Sequence, residues 1–210
     1  MEITLNNEEI KKPHQRLHGD AARLAVQLRS MLDTSHTVLL VGGVGKNHGA
    51  GEVATRLSLS MVSLYGDRKV LLVDANIKSP MVNDYFGLNA TKGLAHGVMA
   101  DGGRLDGIDK TTIPNLSILP ALPEDKEHAR EILSGVGTPL LSRLRSLFQL
   151  IIINGPEQAG SFEFSVWAAH ADQVILAANE GVHKSEIVEA QKSIKGVGSE
   201  LAGVVITHDA

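Results

Sequence analysis

The chain has 210 residues, 43% of them apolar, no cysteine and a formal net charge of −4. That length supports one domain with a sizeable core. The acidic balance gives no footing for nucleic acid or an anionic membrane, and the missing thiols exclude disulfides, thiolate catalysis and cysteine-ligated zinc. No apolar stretch approaches the roughly 20 residues that span a bilayer. The start, Met1-Glu2-Ile3-Thr4, lacks the basic and apolar regions of a secretory signal. Cytoplasmic residence is therefore expected, with no direct membrane insertion and any link to the membrane made through a partner.

Residues Met1–His18 are polar and charge-rich, with Glu8, Glu9, Lys11 and Lys12 close together. They read as an arm (1–18) before a single domain (19–210). Asp20–Leu32 places Leu24, Leu28, Met31 and Leu32 at helical spacing, with Asp20 as a cap. Short apolar runs then alternate with segments of helical period. The runs are Thr37–Val41, Val70–Val73, Leu116–Leu119, Leu150–Ile153, Val174–Ala178 and Val204–Ile206. The helical segments are Glu52–Tyr65, Glu127–Leu133 with Pro139–Phe148, and His183–Ile194. Runs without in/out alternation are strands covered on both faces, so the pattern predicts a doubly wound, mostly parallel α/β sheet flanked by helices. Ligands of such sheets sit beyond the carboxyl ends of the strands.

Three loops fall at those ends. Thr37–Val41 runs into Gly42-Gly43-Val44-Gly45-Lys46-Asn47-His48-Gly49-Ala50-Gly51, a glycine-rich phosphate loop in form. The second strand ends in Asp74-Ala75-Asn76-Ile77-Lys78-Ser79-Pro80, and the third in Asn154-Gly155-Pro156. A phosphate loop aims backbone N–H groups and a helix N-terminus at the anion; a lysine adds charge and a hydroxyl ligates magnesium. Two registers compete. Gly42–Asn47 keeps a lysine, but Asn47 replaces the hydroxyl, and Gly49 and Gly51 would fall in the first helical turns at about 1 kcal/mol each. Gly49-Ala50-Gly51-Glu52-Val53 instead leads into a helix from Glu52 to Tyr65.

The stretch Gly49–Pro80 resembles the ATP-binding domain of bacterial tyrosine kinases, members of the MinD/ParA-like P-loop NTPase group that work in polysaccharide copolymerase systems. In that family a GEGKS/T loop is followed, 22 residues after its lysine, by the first aspartate of DxDxR; counting 22 from Glu52 reaches Asp74. The likeness continues through Gly87-Leu88 and Gly93-Leu94, Leu116–Pro120, Ala129–Ser134, Ala171–Leu176 and Gly203–Ile206, and so covers most of residues 20–207. The resemblance settles the register on Glu52 and implies a P-loop NTPase fold.

The departures bear on function. Glu52 stands at the family's phosphate lysine and Val53 at its magnesium hydroxyl. DxDxR becomes Asp74-Ala75-Asn76-Ile77-Lys78, and the third-loop aspartate is Asn154. A carboxylate at a helix N-terminus takes the place a phosphate wants, and phosphoryl transfer depends on positioning and charge neutralisation. The family's C-terminal tyrosine cluster is absent; the only tyrosines are Tyr65 and Tyr85. The family's E-x-x-R-x-x-R oligomerisation pattern is matched by Asp20 and Arg23, with Val26 at the third charge, so homo-oligomer contacts through Asp20 and Arg23 are expected in weakened form.

Each residue carries an ordinary reading beside the functional one. Lys46, in a loop about two residues longer than the family's, either folds back on phosphate, pairs with Glu52 or is a solvated loop lysine. Asp74 holds a cation or water, or caps the next turn. Asn76 and Asn154 bond a neutral ligand or form turns; Lys78 is a surface charge. His48 contacts phosphate or is a loop residue. Trp167, Phe162 and Phe164 form a partner surface or core. His14 and His18 make no convincing metal set, and no G-x-S-x-G elbow occurs. The resemblance and its departures imply a catalytically degenerate regulatory or scaffolding subunit of exopolysaccharide or capsule biosynthesis and export. Its partner would be a membrane copolymerase or an active kinase relative, with no catalytic residue, cofactor or metal expected (Asp74 if any). The alternatives are a weakly active ATPase or tyrosine autokinase, binding ATP or ADP with magnesium through Lys46, and a MinD/ParA-like positioning ATPase.

Overall fold

Six parallel strands follow from the six apolar runs. The computed structural model describes residues 14–29, 36–100 and 105–207. Its sheet has the order β3-β4-β2-β5-β1-β6-β7. The strands are β1 (Thr37–Val44), β2 (Val70–Asp74), β3 (Asp109–Lys110), β4 (Leu116–Leu119), β5 (Leu150–Asn154), β6 (Gln173–Asn179) and β7 (Leu201–Thr207). Among the described residues, only the two-residue edge strand β3 is antiparallel.

Both faces are covered, and the core residues divide by strand periodicity. Along β1, Leu39 and Val41 face one core layer while Val38 and Leu40 face the other. The first layer is closed by α1 (His14–Arg29), α2 (Ala50–Tyr65) and α3 (Val82–Tyr85). The second is closed by α4 (Leu94–Met99), α5 (Ala129–Gly135), α6 (Ser142–Leu147), α7 (Phe162–Ala168) and α8 (Lys184–Gly196). Trp167 and Phe164 are core, each 1% exposed, while Phe162 at the start of α7 is 73% exposed. The reading of these aromatics therefore splits.

Several boundaries differ from the sequence reading. The first helix begins at His14, inside the expected arm; residues 1–13 of that arm and 30–35, where that helix was expected to end, lie outside the described residues. Ala25 and Leu28 bury against α2 and leave Arg23 and Val26 exposed. The segment read as a helix from Glu127 opens earlier, as a 3-10 turn Pro123–His128 with proline at its start, before α5. A wide turn, Val136–Leu141, kinked at Gly137, precedes α6.

The 3-10 turn carries a carboxylate with a structural task. Asp125 is 1% exposed and accepts three backbone N–H bonds: Leu122 at 2.8 Å, Leu94 at 3.1 Å and Ala95 at 3.1 Å. It thus supplies acceptors to the first turn of α4, whose own cap position, Gly93, has no side chain to do so. Asp125→Ala leaves three buried donors unmet and is expected to lower stability by about 3 kcal/mol or more, read as a shift of the urea unfolding midpoint.

Candidate functional site

β1 runs three residues beyond the expected Val41, because Gly42, Gly43 and Val44 pair with Leu176, Ala177 and Ala178 of β6. Gly42 suits this place because the Phe164 ring lies where a Cβ would be, at 2.2 Å. The extra length read in the phosphate loop is therefore strand, and the loop proper is Gly45–Gly49. Its turn uses left-handed backbone at Gly45 (φ 77°), Asn47 (φ 51°) and Gly49 (φ 61°), conformations open to glycine and tolerated by asparagine. Helix α2 starts at Ala50 rather than Glu52, with Gly49 as its cap. Gly51 thus sits in the first turn, where a Cβ would lie 2.1 Å from the Met81 sulfur. The helix accepts a glycine there because Met81 occupies the space.

His48 turns inward. Its ring lies against Gly43, so closely that a Cβ there would be 2.1 to 2.3 Å from ring atoms. Nδ1 accepts the Ala50 N–H at 3.2 Å, which leaves the proton of the neutral ring on Nε2. Burial holds its basicity below the ordinary imidazole value, against the opposing pull of the Glu157 carbonyl and carboxylate. The His48 carbonyl accepts from Thr207 Oγ1 at 3.2 Å.

Glu52 does not pair with Lys46. It binds Arg56 one turn along α2, and its side chain is 52% exposed. Arg56 is nearly buried and also meets the Tyr85 side chain; its Nε has no acceptor among the described residues. The reversed charge is thus drawn along the flank of α2. Val53 packs against the α2 side of the core. Lys46 is exposed on a cavity of about 440 Å³ that also touches His48, Lys78, Glu157 and Ser161. Lys78 forms an exposed ion pair with Glu163 at 3.2 Å.

Asp74 and Asn154 end adjacent strands, in register with each other. Asp74 is fully buried. Its Oδ1 accepts the Asn154 side-chain amide at 2.8 Å and the Asn76 N–H at 3.2 Å. Its Oδ2 accepts the N–H groups of Met81 and Val82, both at 3.0 Å. Burial raises its pKa, and these four hydrogen bonds pull against that rise. Asn76 Oδ1 in turn accepts Ser79 N–H at 3.2 Å, so Asp74 and Asn76 build the second loop. An amide at 154 is chemically apt: a second carboxylate there would repel Asp74 unless a cation bridged them. The third loop folds back along β1, with Gly155 N–H on Val41 C=O and Ala159 N–H on Gly43 C=O, both at 2.8 Å.

The structure therefore brings Lys46, His48, Gly49, Ala50, Gly51, Glu52, Val53, Asp74, Asn76, Lys78 and Asn154 to one end of the sheet. Asp20 and Arg23 lie apart from it on α1. Sequence reasoning missed Arg56, Met81 and Glu157. The Glu52–Arg56 spacing of four was a readable signal; the other two act through contacts that close only in the fold.

Two outcomes follow. Asn154→Asp is expected to destabilise the fold by about 2 kcal/mol at neutral pH, with recovery on acidification as the pair takes a proton and partial recovery with magnesium, measured as melting temperature at either pH. His48→Asn keeps an acceptor for Ala50 and removes a titrating ring. A folded pKa below the unfolded one means the His48 contribution is complete above about pH 6.5 and is lost as pH falls from there through the folded value. The native protein is thus expected to lose more stability between pH 7 and pH 5 than His48→Asn does, read from urea midpoints.

No protein-family model matches the chain. The tyrosine-protein kinase EpsB of Ralstonia nicotianae is 24% identical over 184 residues, 87% of this chain but 24% of that protein. The tyrosine-protein kinase CpsD of Streptococcus agalactiae is 23% identical over 171 residues, 80% of this chain and 74% of CpsD. The chain thus spans about a quarter of the first relative and three quarters of the second. Among solved structures, the kinase domain of the Escherichia coli tyrosine kinase ETK superposes with a TM-score of 0.78 at 17% identity, covering 99% of this chain and 82% of that one. MinD of Pyrococcus horikoshii, solved with Mg-ADP, gives 0.65 at 20% identity over 81% of this chain and 69% of that one. The chain is a relative of the bacterial tyrosine-protein kinases, built on the P-loop NTPase fold they share with MinD.

Proposed function

We propose that this domain no longer transfers phosphate and serves as a regulatory or scaffolding subunit in exopolysaccharide or capsule biosynthesis and export. It acts in the cytoplasm, at the inner face of the membrane, by docking on a membrane copolymerase or on an active kinase relative. The observation that carries this reading is the saturation of Asp74. Both its oxygens are spent on the Asn154 amide and three backbone N–H groups, so a magnesium ion would have to displace bonds that hold the second loop together. The position of the phosphate lysine supports the same reading, since it carries a carboxylate tied to Arg56. Phosphoryl transfer without a cation, a lysine or a hydroxyl loses the charge neutralisation on which its rate depends.

A second reading has one observation in its favour. Lys46 and Lys78 both border the 440 Å³ cavity beside the loop, so a weak ATPase or autokinase using Lys46 remains a defined rival. A positioning ATPase of the MinD kind requires the same lysine and carboxylates and gains nothing from this cavity.

The test is calorimetric titration of the native chain with ATP and ADP, with and without magnesium, beside a turnover assay and a pull-down from its own cells. The scaffold reading expects no magnesium-dependent binding, no ATP turnover, and capture of a copolymerase or an active kinase. Turnover that vanishes in Lys46→Ala would establish the rival instead.

A further inference from the structure

We propose that His48 is a built-in occupant of the phosphate loop, closing it by taking the backbone donor that a phosphate oxygen would take. This rests on the reading of the loop as a nucleotide cradle that the chain no longer uses. It goes further by naming the group that shuts the cradle, and that group is not the replaced lysine.

Several observations converge on the ring. Ala50 N–H, the first donor of α2, is bonded to His48 Nδ1 at 3.2 Å; N–H groups at such a helix start are what a phosphate loop offers an anion. The ring rests on Gly43, where no side chain competes for the space. His48 lines the same cavity as Glu157 of the third loop. The third loop is itself pinned to β1 through Ala159 N–H and Gly43 C=O at 2.8 Å. Thr207 holds the His48 carbonyl from β7, which fixes the backbone that aims the ring. A neutral imidazole is the form that can accept from Ala50, and burial favours that form.

Glu52, by contrast, is held outward by Arg56 and is half exposed. Restoring the family's residues at positions 52 and 53 therefore returns charge and hydroxyl to a cradle that His48 still fills. A ligand must first displace the imidazole from the Ala50 N–H.

The test compares Glu52→Lys/Val53→Thr with the same double variant carrying, in turn, His48→Ala, Gly43→Ala or His48→Asn. Gly43→Ala evicts the ring from the opposite side and leaves His48 in the chain, so it reads the proposal if His48→Ala fails to fold. His48→Asn keeps an acceptor for Ala50. Inorganic pyrophosphate and ADP with magnesium are the probes, followed by calorimetry and by the backbone amide signals of Ala50 and Gly51. The expected result is binding at least roughly tenfold tighter in the His48→Ala and Gly43→Ala proteins than in the double variant, with His48→Asn close to the double variant. Equal affinity with and without the ring, or silence in every protein, overturns the proposal, as does a His48→Asn protein that binds as tightly as His48→Ala. Magnesium-dependent ATP binding by the native chain would instead overturn the function proposed above, and would be seen without any of these variants.

Discussion

A buried carboxylate at the end of the central strand pair sets the terms for this end of the molecule. Asp74 is fully buried between β2 and β5, where an unpaired charge is costly. In a nucleotide site a cation can offset such a charge. Here the fold offsets it with one amide and three backbone N–H groups. The consequences spread outward. Accepting from Met81 and Val82 fixes where α3 begins, and that places the Met81 side chain over Gly51. Accepting from Asn154 joins the second and third loops at their roots. The start of α2 is thus crowded from the second loop through Met81, which Asp74 holds in place.

The substitutions make sense in pairs. Asn154 suits a retained Asp74, since an amide can donate to it where a second carboxylate cannot. Glu52 suits a helix that carries Arg56 one turn on, and Arg56 in turn meets Tyr85 from α3. His48 suits a strand that presents Gly43 to its ring. Asn154, Glu52 and His48 each have a partner inside the fold. Arg56 Nε and Asn83 Oδ1 are buried side-chain atoms without a hydrogen bond among the described residues, and both lie outside the three loops.

The parallel sheet was legible because strands buried on both faces are written as unbroken apolar runs, and β2, β4, β5 and β6 sit where those runs fall. The end of β1 was not legible. Gly42-Gly43 reads as loop in isolation; it is strand because β6 offers hydrogen-bond partners as far as Ala178 and the Phe164 ring fills the missing side-chain volume. The start of α2 was misplaced for a related reason. Gly51 costs helix propensity locally, and the packing of Met81 offsets that cost from a different loop. At the site, the resemblance to the tyrosine-kinase domain pointed to Asp74 and Glu52, and a helical spacing of four would have located Arg56. The turning inward of His48 depends on Gly43, Glu157 and Thr207, which only the closed sheet brings together.

A nucleotide switch works because its loops have two arrangements, one of them held by phosphate and magnesium. These loops are instead tied to one another. Asn154 binds Asp74 across the second and third loops, Thr207 binds the His48 carbonyl across β7 and the first loop, and Ala159 binds Gly43 across the third loop and β1. A ligand can shift such an arrangement only by its differential affinity for a looser one, and it would have to break several of these bonds before making its own. On the proposed reading, the surface this domain offers a partner is therefore set when the chain folds, and its binding follows partner concentration rather than nucleotide state.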